Sequence, residues 1–265
     1  MIVAMSCNEN WYKYLVVDIY SLLRFTKNVK KIYLLVETEK INDIKYLDLI
    51  QKKFPVEIEL INYNNIIKNY LVENSPNRGT IFTDFCFARL ILADYVKEDR
   101  VIYLDTDAIV RKDISHLWNI DITNYYVCGV RDYGVMADDY LASLQLSGRY
   151  INSGMVLFNL KKIREDKIIS QWFNLINNKE LRYPDQDALN IVCTDHELYL
   201  PSMYNFIHNV TVPVFNQALI KVFHYAGEKN AWVADRFYGE EWYDSAEMFY
   251  DEIIKMSDED GHSIV

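Results

Sequence analysis

VIYLDTDAIV, residues 101–110, drives an apolar run straight into Asp105-Thr106-Asp107 and then returns to Ala108, Ile109 and Val110. Two acids in such a run are costly to bury unless something positive meets them. Val101 to Leu104 has the composition of a buried strand, which puts the acids at its carboxyl end. In open α/β sheets, ligands bind beyond that end of the strands.

The segments on either side alternate between strand and helix patterns. Residues 2–5, IVAM, read as a strand, and a helix follows from about Trp11 to Phe25, with Leu15, Ile19 and Leu22 at helical spacing. KIYLLV (31–36) is a second strand, and IKYLDLIQKKF (44–54) a second helix stopped by Pro55. EIELI (57–61) is a third strand. SPNRGT (75–80) is a loop, and TDFCFARLILADYV (83–96) reads as one helix leading into the strand before the acids.

Downstream, VCGVRD (127–132) and GMVLFNL (154–160) read as strands around a partly helical segment from Tyr133 to Tyr150. KKIREDKIISQWFNLI (161–176) reads as one helix and DQDALNIVC (185–193) as a shorter one. KVFHYAG (221–227) is a late strand and loop, and AEMFYDEIIKM (246–256) a terminal helix turning Phe249, Ile253 and Met256 inward. This βαβα order predicts an α/β fold, with a mostly parallel sheet flanked by helices on both faces. No repeat or linker divides the chain, so a single domain is expected over 1–256, followed by an acidic tail, 257–265.

Hydrophobic content of 51% is ample for the core of a 265-residue chain. The formal charge of -10 argues against nucleic acid as a partner. Cys7, Cys86, Cys128 and Cys193 form no C-x-x-C pair and read as reduced thiols. No signal peptide or membrane span is evident, so a cytoplasmic protein is expected.

In an extended segment, Asp105 and Asp107 share a face while Thr106 points the other way. Converging carboxylates repel, which raises a proton affinity or recruits a divalent cation. Hard oxygen donors suit Mg²⁺ or Mn²⁺, and an added imidazole favours Mn²⁺. A pair of solvated acids, or caps for the helix of DISHLW, is the bland alternative. The eight glycines form neither G-x-G-x-x-G nor G-x-x-x-x-G-K-[ST]. A nucleotide bound by this sheet therefore needs another way to neutralise its phosphates, and a metal held by D-x-D supplies one.

YLDTDAIV, GVRD, YINSGMVLFNL, YPDQDALN and HYAGEKNAW, in that order, resemble glycosyltransferase family 8, from IVAMSCNENW to about Trp232. The resemblance implies a GT-A fold, a Rossmann-like sheet carrying a D-x-D motif. It further implies retaining transfer of a hexose, glucose or galactose, from a UDP-sugar, with Mn²⁺ or alternatively Mg²⁺. The acceptor is then a saccharide, glycolipid or glycoprotein.

Taken position by position, Asp105, Asp107 and His224 resemble the family's metal ligands. Asn8 stands where the family reads the uracil ring, often with an aspartate. An amide offers both a donor and an acceptor to the base. Thr106 and Gly227 join the nucleotide contacts. Arg89 matches an arginine that approaches the donor, although an ion pair with Asp84 or another acid also accounts for it. Asp132 and Asn152 resemble contacts to sugar hydroxyls, Asp185 faces the sugar, and Gln186 the reacting carbon. In HYAGEKNAW the family's Lys-Pro pair is replaced by Asn230 and Ala231, leaving Lys229, one residue earlier, to meet the diphosphate as a point charge. Two rivals are a haloacid-dehalogenase-like phosphatase, disfavoured because its acids belong on the first strand, and a nucleotide-sugar-binding protein without turnover. The segments 133–150 and 199–217 are expected on the acceptor side, with Tyr204 and Phe206 as stacking surfaces.

Overall fold

The computed structural model describes residues 1–8, 11–37, 44–79, 84–136, 139–146, 148–208, 210, 216–227 and 239–255. The first half is laid down as β1 (Ile2–Cys7), α1 (Tyr12–Phe25), β2 (Lys31–Val36), α2 (Ile44–Lys53), β3 (Glu57–Asn62), α3 (Asn64–Ile67), α4 (Leu92–Tyr95), β4 (Arg100–Leu104) and β5 (Ala108–Val110). Then come β6 (Val127–Arg131), α5 (Tyr133–Met136), α6 (Tyr140–Ser143), β7 (Ile151–Asn159), α7 (Leu160–Glu165), α8 (Ile168–Asn178) and α9 (Pro184–Cys193). β8 (Glu197–Leu200), β9 (Phe206–Ile207), β10 (Val222–His224) and α10 (Glu240–Phe249) complete the order.

Among the described residues, seven strands form one sheet in the order β3-β2-β1-β4-β7-β6-β8, and a second, small one has the order β5-β10-β9. The large sheet is parallel except where β7 runs antiparallel to both β4 and β6. That reversal positions the site. It sets the start of β7 beside the carboxyl ends of β4 and β6, with Leu104 opposite Met155 and Arg131 opposite Ile151.

Side chains alternate across the sheet as the pleat requires. Val3, Met5, Ile102 and Leu104 enter the core under α1 and α10, whereas Ile2, Ala4, Val101 and Tyr103 enter the core under α8 and α9. The second face matters most for the site, because Tyr103 and Asp105 share it. Leu15, Ile19 and Leu22 of α1 are buried as the spacing predicts, as are Phe249 and Ile253; Met256 lies outside the described residues.

Several elements differ from their sequence pattern. Asp84–Ile91 winds as a 3₁₀ helix and becomes α-helical only at α4. Its three-residue repeat stacks Arg89 over Cys86, whose carbonyl accepts from Nε at 3.2 Å. The single helix expected over 161–176 is two, parted at Lys167, whose φ of 54° is left-handed. Neither Gly nor Pro marks that break. Residues 105–107 form a turn rather than an extended continuation of β4, with the Ala108 amide donating to the Asp105 carbonyl at 3.3 Å. The turn, not strand alternation, brings the two acids together. The acidic tail, 257–265, lies outside the described residues.

Candidate active site

After Arg100, β4 is buried from Val101 to Leu104 because both of its faces are covered, and its chain must then leave the sheet. The Asp105 amide still pairs with the Gly154 carbonyl at 2.8 Å, so the acid is pinned to the start of β7. The turn then delivers Asp107, and β5 pairs antiparallel with β10 so that His224 stands opposite Ala108. The His224 Nε2 lies 3.2 Å from Asp107 Oδ1 and 3.8 Å from Asp105 Oδ2. One ligand atom from each of the three residues lies within 4.8 Å of the others. Two carboxylates and one imidazole so placed fit a hard divalent cation.

The electrostatics follow from that crowding. Burial disfavours the His224 imidazolium, but the Asp107 and Asp105 carboxylates outweigh it and hold the pKa above its usual value. Burial pushes Asp107 up, yet the imidazole beside it draws the carboxyl below the usual range. A divalent cation held by the three would take over that role.

A glycine is required at 154. A Cβ there would stand 2.1 Å from Cε1 of His224 and within 2.8 Å of both ring nitrogens. Asn152, Ser153 and Gly154 all lie within β7, and the glycine lets the Cε1 side of the imidazole close on that strand.

Arg89 links Asp105 to Asp185. Its guanidinium meets Asp105 Oδ1 at 2.9 Å and Asp185 Oδ2 at 3.2 Å, and donates to the Ser153 carbonyl at 2.7 Å. It also lies over the Tyr103 ring, whose hydroxyl donates to Asp105 Oδ1 at 2.8 Å. Asp84 pairs instead with Arg78, at 3.1 Å. Pro184 opens α9, and Asp185 lies within its first turn. Burial pushes its carboxyl up, against the pull of Arg89.

Asp132, at the end of β6, is an organising centre. Oδ1 accepts from the amides of Gly134 and Val135, at 3.0 and 3.1 Å, starting α5. Oδ2 accepts from Asn152 at 3.0 Å and Gln186 at 3.1 Å. Gln186 is fixed at its other end by the Ser153 amide, 2.8 Å from Oε1. Thr106 is buried in the turn. Asn8 directly follows β1, the parallel neighbour of β4, and its carbonyl receives the Trp11 amide at 3.1 Å. Gly227 has φ +123°, which side chains rarely tolerate, and lies three residues beyond His224. Lys229 and Trp232 lie outside the described residues.

Sequence reasoning missed Ser153 and Asn205. Ser153 holds Arg89, Asp185 and Gln186 together. Asn205 reaches both His224 and Asn152, at 2.9 and 2.8 Å. Ser153 lies inside the YINSGMVLFNL motif without a role assigned there, Asn205 belongs to no recognisable spacing pattern, and only the fold shows what either one contacts. Tyr204, expected as a stacking surface, is 8% exposed and hydrogen-bonded to His116. Phe206 is partly buried edge-on against Phe223. The segment 133–150 docks on α9 through Tyr140 and Tyr150, both of which donate to Asp187.

A mostly parallel sheet with a strand-end acidic pair and a nearby imidazole defines a protein of the GT-A class, and solved structures agree on the fold. One is the galactosyltransferase LgtC in complex with donor and acceptor sugar analogues, at a TM-score of 0.74 and 22% identity, covering 94% of this chain and 96% of that one. Another is the glycosyltransferase GlyE of Streptococcus pneumoniae TIGR4, at a TM-score of 0.71 and 21% identity, covering 97% and 64%. The pattern described as Glycosyl transferase family 8 matches residues 2–235, and the chain belongs to that family.

Among curated relatives, a lipopolysaccharide 1,2-glucosyltransferase of Escherichia coli is 26% identical over 221 residues, 78% of this chain and 63% of that protein. General stress protein A of Bacillus subtilis strain 168 is 31% identical over 182 residues, 66% and 62% of the two chains. The chain thus spans 52–63% of the length of the first curated relatives it matches. Family membership disfavours the phosphatase alternative. No helix among the described residues is long and apolar enough to cross a membrane.

Proposed function

We propose that the protein transfers a hexose, glucose or galactose, from a UDP-sugar to a glycan or glycoconjugate acceptor, with retention at the anomeric carbon. The observation that carries this is the convergence of Asp105, Asp107 and His224 at the carboxyl end of β4, in a chain of this family. Those three residues would hold Mn²⁺, or alternatively Mg²⁺; the imidazole favours the former. A divalent ion bound there supplies positive charge that offsets the charge developing on a departing nucleoside diphosphate.

The remaining roles belong to the chain itself. Asn8 and Thr106 meet the nucleoside side. Gly227 lets the backbone approach the diphosphate without a Cβ in the way, and Lys229 adds a point charge. Asp132, Asn152 and Asp185 accept from or donate to sugar hydroxyls, and Gln186 faces the reacting carbon. Arg89 holds Asp105 and Asp185 at fixed separation, so the phosphate and sugar ends of the donor are registered by one rigid group.

Two observations favour same-face attack over a covalent sugar-enzyme intermediate. The Asp185 Oδ2 is already engaged by Arg89 and by the Ser153 hydroxyl at 3.0 Å, which lowers its nucleophilicity. Gln186 is an amide with both ends hydrogen-bonded. In same-face attack the departing phosphate takes the acceptor's proton. The catalytic unit is proposed to span 1–256 and to act in the cytoplasm, with no nucleic-acid partner.

The test is a panel of UDP-sugars with Mn²⁺, scored by UDP release with and without added saccharides. Turnover of UDP-glucose or UDP-galactose that rises with an acceptor is expected. UDP binding without release across the panel would leave only a nucleotide-sugar-binding role.

A further inference from the structure

A chain of buried hydrogen bonds runs from Asp132 to His224, and its donor and acceptor directions leave no freedom. The Asp132 carboxylate only accepts, so the Asn152 atom 3.0 Å from it is the amide nitrogen. The Asn152 oxygen therefore points the other way, where the Gly154 backbone N–H donates to it at 3.0 Å. Asn205 approaches that same oxygen at 2.8 Å and must donate through its own nitrogen. This turns the Asn205 oxygen toward Nδ1 of His224, at 2.9 Å. An acceptor facing Nδ1 requires a proton there. A carboxylate and a backbone N–H thus fix both amide orientations.

We infer that Asn205 is a positioning residue for the metal centre: it keeps the proton of His224 on Nδ1, so that Nε2 is the nitrogen offered beside Asp105 and Asp107. The four residues of the chain are each 7% exposed or less, so water does not compete for these bonds. The bare Gly154 backbone confines the ring at Cε1, since even a Cβ there would collide with it. Orientation and tautomer are thus set by separate groups. Hydrogen-bonding partners of this kind, behind a ligating imidazole, orient the ring and raise its basicity. Asn152 and Asp132 anchor the relay, which links the sugar-facing end of the site to the cation-facing end.

The inference rests on the proposed cation site, and its test separates the two. Mn²⁺ affinity is measured by calorimetry with UDP present, for the parent, Asn205→Ala and Asn205→Asp. In its protonated form the aspartate reproduces both bonds, its O–H donating to the Asn152 oxygen and its C=O facing Nδ1. Asn205→Ala is expected to bind Mn²⁺ about 10–100-fold more weakly, with Asn205→Asp restoring most of the affinity. In the parent loaded with diamagnetic Zn²⁺, ¹⁵N-histidine spectra are expected to show one slowly exchanging Nδ1–H, identified by its loss in His224→Gln. That signal should exchange faster in Asn205→Ala and survive in Asn205→Asp. Parent affinity in a folded Asn205→Ala, or Zn²⁺ ligated through Nδ1 in the parent, would overturn the positioning role alone. A parent that binds no metal would instead remove the cation site itself.

Discussion

Gly154→Ala perturbs the site by a single methyl group, and its consequence follows from distances. The new Cβ would stand 2.1 Å from Cε1 of His224, whereas non-bonded carbons rest about 3.5–4.0 Å apart, so one group must retreat by roughly 1.5 Å. The β7 backbone cannot yield easily, because the Gly154 carbonyl and amide are both hydrogen-bonded, to Asp105 and Asn152. The ring must move, and the Asn205 oxygen, 2.9 Å from Nδ1, resists that movement. Metal–ligand distances tolerate only about 0.2 Å of error, so a displacement of that size removes His224 as a ligand. Mn²⁺ affinity should fall by ~100-fold or more, and overpacking should lower stability by about 1–3 kcal/mol. Calorimetric titration with Mn²⁺ measures the first effect, and urea denaturation in EDTA the second. Parent affinity in a folded Gly154→Ala protein would refute the view that the bare face of β7 exists to seat the imidazole.

Asp18, on α1, is 1% exposed, and neither carboxylate oxygen has a hydrogen-bond partner among the described residues. Burial first, and then repulsion from Asp107, pushes its pKa well up. The unfolded chain releases that proton at about pH 3.9 while the folded chain still holds it, so stability is lost as pH rises through that window. Asp18→Ala should therefore be the more stable protein at pH 8, by about 1–3 kcal/mol, with a smaller gain at pH 4; urea melts that rank the parent higher at pH 8 would contradict this. Arg89→Met strands two acids, one of them deeply buried, and should cost about 3–5 kcal/mol in metal-free protein. Mn²⁺ should recover part of that loss by replacing the missing positive charge, and melts that do not respond to the ion would count against it.

The sheet was legible because periodicity and strand-end chemistry are local signals. Val101 to Leu104 announces a strand covered on both faces, and Asp105 and Asp107 announce where it ends. The relation of those acids to His224 was legible only through family resemblance, since more than a hundred residues intervene. Winding and breaks were harder. Asp84–Ile91 carries the apolar pattern of an α-helix, yet tertiary contacts draw it into 3₁₀ geometry, where Arg89 reaches Asp105 and Asp185. Lys167 breaks a helix with no residue that favours a left-handed turn. Asn205 could not be found at all from spacing. Its role lies in the direction of two hydrogen bonds to residues 53 and 19 positions away.

A crystal soaked with Mn²⁺ and UDP tests the central claim most directly. One anomalous peak is expected within coordination distance of Asp105, Asp107 and Nε2 of His224, with diphosphate oxygens on its open side. Bound UDP with no peak between those three side chains, or a peak held by other residues, would contradict the account.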